Sequence, residues 1–364
     1  MELSNLTFIV TDDCNFNCSY CFQKKEKKTI SNKIIETAVD FFYPFLTKKN
    51  KVHIGFYGGE PLLAFEQVKH AVLLLMEKNK TGNKNLEFSL TTNGSLLTGK
   101  MLDFFNRRRF ALMLSFDGLA QDIGRKKGTL EKMIRSMKRI RRYPGITFEI
   151  NSVFSPRTVH MLSDSLRFII ERGGAEVTFD ISTIEEWIPA ELDTLEEELA
   201  RLTDFLHSYY KKNGEIPVTN FRNCIQETKP GIFRCGAGRD QVAVTPEGDV
   251  YGCFLFHDYF KDRRDSSRRP DFHFGTLAGF AVDYKTRYPQ VLAHYAELWQ
   301  GFFSVERDFC FLCPDVEGCM VCPVNAAYST GTLGKISRGR CRVNKILRKF
   351  TNHFLQLLTT GWRC

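Results

Sequence analysis

Three cysteines stand within eight residues near the start of the chain: Cys14, Cys18 and Cys21. Three thiolates on one tight loop can bind three irons of a four-iron cubane and leave the fourth iron open. A tetrahedral zinc site asks for a fourth ligand, and the next histidine along the chain is His53. A second group reads Cys310-x2-Cys313-x5-Cys319-x2-Cys322, with Cys341 further on. Alone, that spacing also suits a zinc ribbon. Cys224, Cys235 and Cys253 precede it, Cys364 ends the chain, and no cysteine lies between Cys21 and Cys224. A disulfide framework does not explain two dense groups around a cysteine-free middle, whereas two metal-binding regions do.

The elements that must position these groups alternate. NLTFIVTD is β-branched and aromatic and reads as a buried strand leading into the first cysteine loop. Residues 30–48 carry apolar side chains at helical spacing, with Ser31 as N-cap. KVHIGFY is a strand ending at Gly58-Gly59, and LEFSLTTNG, FALMLSFDG, ITFEINSVF and AEVTFDIS are further strands with helical segments between them. Six strand–helix units over about 200 residues predict an α/β fold, a partial (β/α)6 TIM-like barrel with the polar motifs at the C-terminal strand ends. Residues 1–200 form that barrel and 201–215 complete a bridging helix that begins upstream, near residue 185. Residues 216–364 form a small Cys-rich domain held by metal as much as by apolar burial. There VAVTPEGDVYGC reads as a hairpin placing Cys253 beyond its second strand, and the charged stretch 258–272 as an exposed loop.

The chain has 364 residues, 43% hydrophobic and 26% charged, and a formal charge of +9. That composition excludes a mainly disordered chain. No run of about 18 apolar residues predicts a transmembrane helix, and the N-terminus lacks a secretory pattern. A cytoplasmic location is expected. The basic clusters at 24–28, 107–109, 139–142 and 263–269 read as solvated faces or loops. No nucleic-acid recognition motif accompanies them.

CNFNCSYC resembles the signature of the radical SAM superfamily. In such enzymes the open iron takes the amino and carboxylate groups of S-adenosylmethionine (SAM) and delivers an electron to its sulfonium, giving a 5′-deoxyadenosyl radical. The resemblance implies that Cys14, Cys18 and Cys21 hold a SAM-binding [4Fe–4S] cluster and that Tyr20 lies over the adenine. Gly58, Gly59 and Glu60 resemble the family's GGE motif, which holds the SAM ammonium. Ser115 and Arg125 resemble the residues that meet the SAM carboxylate. The context of Arg125, DGLAQDIGRKKGT, departs from the DGP…HD..R usual there. TTNG at 91–94 is also family-like, but an Asn-Gly turn stands at a strand end anyway, so it stays outside the expected site.

The later cysteines resemble the SPASM extension of radical SAM peptide-modifying enzymes, with one residue fewer than usual before Cys322. The resemblance implies two auxiliary [4Fe–4S] clusters with interleaved ligands. Cys310, Cys313, Cys319 and Cys341 would hold the distal cluster. Cys235, Cys253 and Cys322 would hold the nearer one, with Cys224 as its fourth ligand. Cys364 lies outside the pattern.

This resemblance implies a maturase of a ribosomally made peptide that installs an oxidative C–S thioether or C–C cross-link. Two extra clusters give the substrate electron somewhere to go. Alternatives are an anaerobic sulfatase-maturing, formylglycine-forming enzyme and a small-molecule radical SAM dehydrogenase. The sulfatase type carries a catalytic aspartate after the equivalent of Cys253, where this chain has Phe254. The nearest candidates are His257, read as a surface histidine, and Asp258. A zinc-binding or electron-carrier protein is the non-enzymatic alternative. Expected partners are a precursor peptide and an external reductant such as flavodoxin or ferredoxin. No leader-binding module precedes the first strand, so a separate leader-binding protein or the enzyme's own surface would serve that role.

Overall fold

The computed structural model describes residues 1–173, 176–182, 184–223, 235–262, 266–299, 304–305, 308–314, 319 and 321–360. Cys224 and Cys364 lie outside them, as does part of the charged stretch 258–272. Six parallel strands follow one another in space as in sequence: β1 (Asn5–Thr11), β2 (Lys51–Gly58), β3 (Asn85–Thr92), β4 (Ala111–Ser115), β5 (Thr147–Phe154) and β6 (Glu176–Ile181). Between them run α1 (Asn32–Phe42), α2 (Phe65–Gly82), α3 (Gly99–Arg107), the short α4 (Gln121–Gly124), α5 (Leu130–Ile140) and α6 (Leu162–Gly173). Ser31 caps α1 as its position suggests, accepting from the Ile34 N–H at 3.2 Å. This is the partial, TIM-like α/β barrel that the alternation predicts.

Period-2 patterning explains why the barrel is hollow. On β1 and β2, Leu6, Phe8, Val10, Val52, Ile54 and Phe56 are buried under the helices. The intervening positions Asn5, Thr7, Gly55 and Tyr57 face a central cavity, as do Ser89, Thr91, Met113, Ser115 and Asn151 on the next strands. Side chains alternate across a strand. Here the helix side carries the large apolar residues and the inner side carries small or polar ones. An aromatic row, Phe8–Phe56–Phe110–Phe88, with centroid spacings of 5.9, 6.1 and 5.6 Å, joins the outer face of the sheet.

The Cys-rich part is not separate from the barrel. After α7 (Pro189–Asn213) and the short α8 (Thr219–Arg222), β7 (Gln241–Val244) pairs in parallel with β1. β8 (Asp249–Tyr251) and β9 (His273–Thr276) then add antiparallel, so one nine-stranded sheet runs β6-β5-β4-β3-β2-β1-β7-β8-β9. The expected hairpin is present, with a third strand beyond it. α9 (Phe254–Asp262), the short α10 (Arg269–Phe272), α11 (Leu277–Trp299), α12 (Pro323–Thr330) and α13 (Arg338–Thr360) complete the chain. A small sheet of β10 (Ser304–Val305), β11 (Asp308–Phe309) and β12 (Lys335–Ile336) lies among them.

The bridging helix is α7, which runs from Pro189 to Asn213. Its buried row Leu192, Leu195, Leu199, Leu202 and Leu206 packs between α6 and α13, so it belongs to the body of the fold. The described part of 258–272 is not an exposed loop: Tyr259, Phe260 and Phe272 are buried. Counting charges in the sequence hid the aromatics between them. Among the described residues, no helix is long and apolar enough to cross a membrane.

Candidate active site

The cavity at the C-terminal strand ends has a volume of about 600 Å³. Cys14, Cys18 and Cys21 line it together, on the loop that follows β1. Side-chain and backbone bonds fix this loop to neighbouring strand ends. Asn93 Nδ2 donates to Asn15 Oδ1 at 2.9 Å, Asn15 Nδ2 donates to Ser95 Oγ at 2.9 Å, and the Ser19 N–H donates to Gly124 O at 2.8 Å. The TTNG turn, left out of the expected site, therefore helps hold the cysteine loop.

The chemistry of this donor set suits a cluster better than a single ion. Four thiolates around one zinc sit about 3.8 Å apart, from Zn–S bonds near 2.3 Å in a tetrahedron. Among the described residues, only Asp12, Glu247 and His257 bring three ligand atoms within 4.8 Å of one another. Their carboxylates are already paired: Lys261 lies 2.5 Å from Asp12 and Lys28 lies 2.9 Å from Glu247. The three loop thiols are thus spread wider than one zinc would draw them, and they share one open cavity. Burial raises the pKa of each, at Cys18 to about 11. Metal binding must displace those protons.

Gly58 and Gly59 bring the end of β2 against the root of the loop. Gly58 has φ +145°, and a Cβ there would stand 2.1 Å from Thr11 O; at Gly59 a Cβ would stand 2.3 Å from Asp13 O. We expect Gly58→Ala to displace the cysteine loop and lower the iron content of the purified protein, with a stability loss of about 1–3 kcal/mol from the strained backbone alone. Iron assay with thermal denaturation checks this, and a variant with full iron and an unchanged Tm overturns it.

Glu60 does not line the cavity. It is 1% exposed, and its carboxylate accepts from Thr92 Oγ1 at 2.6 Å, Asn93 N at 2.7 Å and Leu62 N at 3.1 Å. Burial pushes its pKa to about 7 against those three donors. Here it ties the GGE turn to the TTNG turn, while Gly58 and Gly59 face the cavity.

Tyr20, Ser115 and Arg125 all line the cavity. Tyr20 and Arg125 are organised by a residue outside the sequence-predicted set. Asp117, fully buried, accepts from Tyr20 Oη at 2.5 Å and Val153 N at 2.9 Å and pairs with Arg125 Nη2 at 2.9 Å. The Arg125 guanidinium lies 5.4 Å from the centroid of the Tyr20 ring. Two buried polar atoms of this wall have no hydrogen-bond partner, Arg125 Nε and Asn151 Oδ1. Such orphans are rare in folded proteins and suit a polar ligand.

Cys253, immediately before α9, also lines the cavity. Burial raises the pKa of Cys235 to about 11 and that of Cys253 further, and the Cys322 thiol adds to both, so these three lie near one another. Cys319 is likewise raised by burial and then by Cys341 and Cys313. Cys310 adjoins Cys313, whose N–H donates to Cys310 O at 3.0 Å. The described thiols thus fall into two neighbourhoods, Cys235, Cys253 and Cys322 in one and Cys310, Cys313, Cys319 and Cys341 in the other.

His257 is corrected from a surface histidine to a buried one. It is 7% exposed, and its Nε2 lies 3.2 Å from Asp12 Oδ1. Asp12 also pairs with Lys261, so α9 is anchored two residues before Cys14. Burial opposes ionisation of Asp12, but the hydrogen bonds from His257 and Lys261 hold its pKa below the usual value. Asp258, the other sequence candidate, is buried, accepts from Gln23 Nε2 at 3.1 Å, and is pushed up to about 6 by that burial. Partners 235–249 residues apart leave no local signal in the sequence.

Residues 8–169 match the family described as the Radical SAM superfamily. The radical SAM cyclopropyl synthase TigE of Paramaledivibacter caminithermalis is 22% identical over 296 residues, covering 72% of this chain and 60% of that protein. A cysteine-type anaerobic sulfatase-maturating enzyme of Clostridium perfringens is 25% identical over 289 residues, covering 70% of this chain and 75% of that protein. The solved structure of native anSMEcpe with bound AdoMet and Cp18Cys peptide superposes with a TM-score of 0.75 at 20% identity, over 99% of each chain. That family uses a [4Fe–4S] cluster and SAM, and the three loop thiols and the orphaned polar atoms beside them fit both. That match runs over the loop cysteines and β2 to β5, so residues 8–169 form a radical SAM domain.

Proposed function

We propose that this enzyme matures a ribosomally synthesised peptide by installing an oxidative cross-link, C–S or C–C. The observation that carries the reading is the placement of Cys253 on the wall of the same cavity as Cys14, Cys18 and Cys21. Two auxiliary clusters, on Cys235, Cys253 and Cys322 and on Cys310, Cys313, Cys319 and Cys341, would complete the metal set. Bound in the cavity, the cluster and SAM supply the 5′-deoxyadenosyl radical that takes a hydrogen atom from the substrate. Ring closure then releases one proton and one electron, so the peptide loses two hydrogens in all. A cluster on Cys253 would put an electron acceptor on the wall of the cavity that the loop cysteines share, within reach of a substrate held there. The Asp117-held Tyr20 and Arg125 orient SAM, and Gly58 and Gly59 admit it by close backbone approach. An external one-electron reductant primes each turnover.

The test uses the short Cys- or aromatic-rich peptide encoded beside the gene, with anaerobically reconstituted enzyme. A mass loss of two hydrogens, with fragmentation blocked between two residues, is the expected result. Cys253→Ala should lower the iron content of the reconstituted enzyme and abolish the cross-link while SAM is still cleaved. Full product formation by this variant overturns the reading. The sulfatase-maturing alternative keeps one observation in its favour. Asp258 stands one helical turn beyond Phe254 and is bonded to Gln23 of the cavity wall. That reaction leaves an aldehyde that a hydrazide captures, with no blocked fragmentation.

A further inference from the structure

The cavity has a second wall that the residues around the loop cysteines do not use. Asn325, in the first turn of α12, and Arg340, in the first turn of α13, both line it. They flank Cys322, whose thiol accepts from the Asn325 N–H and feels the Arg340 charge. Asp180, near the end of β6, faces the same space. Arg340 Nη1 donates to Ile181 O at 3.1 Å, but among the described residues the buried Arg340 Nε and Asn325 Oδ1 have no hydrogen-bond partner. Among the same residues Asp180 keeps only a 3.3 Å bond from Asn151 Nδ2. Among the described residues, no carboxylate lies within 4.0 Å of the Arg340 guanidinium, so it and Asp180 do not neutralise each other in a direct ion pair.

The missing partner must satisfy a donor and acceptors at once. A carboxylate would suit Arg340 but meet Asp180 and the Asn325 carbonyl oxygen. A cation would suit those two but meet Arg340. A neutral amide offers both a C=O and an N–H. We propose that Asp180, Asn325 and Arg340 form a main-chain subsite. It holds one peptide group of the substrate by its C=O on Arg340 Nε and its N–H on the Asn325 or Asp180 oxygen. This deepens the peptide-maturase reading and rests on it. The subsite fixes the substrate backbone beside Cys322 and leaves the side chain at that residue unread.

The experiment uses the full-length reconstituted enzyme with the peptide encoded beside the gene, and the same peptide carrying a main-chain ester at single positions. Arg340→Gln should raise the KM for peptide about tenfold while kcat and iron content hold, and Asn325→Ala should do the same, each by the loss of one hydrogen bond. One ester position, which removes the peptide N–H, should cost the wild type a similar factor and cost Asn325→Ala nothing further. Two outcomes overturn the subsite: an unchanged KM with a shifted cluster potential, which makes Arg340 an electrostatic neighbour of the clusters, or an ester penalty equal in wild type and Asn325→Ala. If the wild type converts no peptide at all, the maturase reading fails and the subsite falls with it. Conversion with an insensitive KM sinks the subsite alone.

Discussion

Replacing Cys14, Cys18 and Cys21 together by alanine should leave a folded protein that has lost about four irons per chain and all reductive cleavage of SAM. The fold should survive because nothing in the sheet depends on these thiols. The loop is bonded through Asn15, Ser19, Asn93 and Ser95, and the strands beneath it are packed by Phe8, Phe56, Phe88 and Phe110. The thiols face the cavity and are each partly exposed, so their loss opens little new void. The chemical effect should be complete because the cofactor, not a side chain, supplies the radical. Iron assay, the broad iron–sulfur absorbance and chromatographic detection of 5′-deoxyadenosine measure the three parts. Residual 5′-deoxyadenosine above the protein-free blank would place the SAM-cleaving centre elsewhere. A lone substitution is a weaker test, since two thiolates and a water can still hold part of a cluster.

What the sequence revealed and what it hid divide along contact distance. The loop cysteines, the Gly58-Gly59 approach and the six barrel strands are written in runs of neighbouring residues. The cysteine groupings Cys235/Cys253/Cys322 and Cys313/Cys319/Cys341 became legible only through the resemblance, because their members interleave along the chain. Asp12 with His257 and Lys261, and Asp117 with Tyr20, join residues 97 to 249 positions apart, where periodicity and caps carry no information. The continuation of the barrel sheet into β7, β8 and β9 was hidden for the same reason: strand order is a long-range property. Glu60 shows the opposite failure. Its motif was visible, but its carboxylate is occupied by Thr92, Asn93 and Leu62, which no local pattern announces.

The pair formed by Asp117 and Arg125 should dominate the stability of the site. Asp117 is fully buried and serves three donors, the Arg125 guanidinium, the Tyr20 hydroxyl and the Val153 N–H. Asp117→Ala leaves a buried cation without its counter-charge, and breaking such a pair on one side costs about 3–5 kcal/mol. For a chain of 364 residues that corresponds to a Tm lowered by about 4–7 °C. Asp117→Asn keeps the shape, and its Oδ1 can still accept from Val153 N while its Nδ2 donates to Tyr20 Oη, so its loss should be smaller. The informative variant is Asp117→Asn combined with Arg125→Met. Removing both charges should restore most of the Tm, because a buried ion pair replaced on both sides is close to neutral. SAM binding should nevertheless be lost, since the Arg125 Nε–H that faces the cavity without a partner goes with the side chain. Calorimetry and isothermal titration with SAM separate the two effects. A double variant that recovers both stability and SAM binding would show that Arg125 only balances Asp117. One that recovers stability alone shows that the buried pair exists to hold a cation at the cofactor wall.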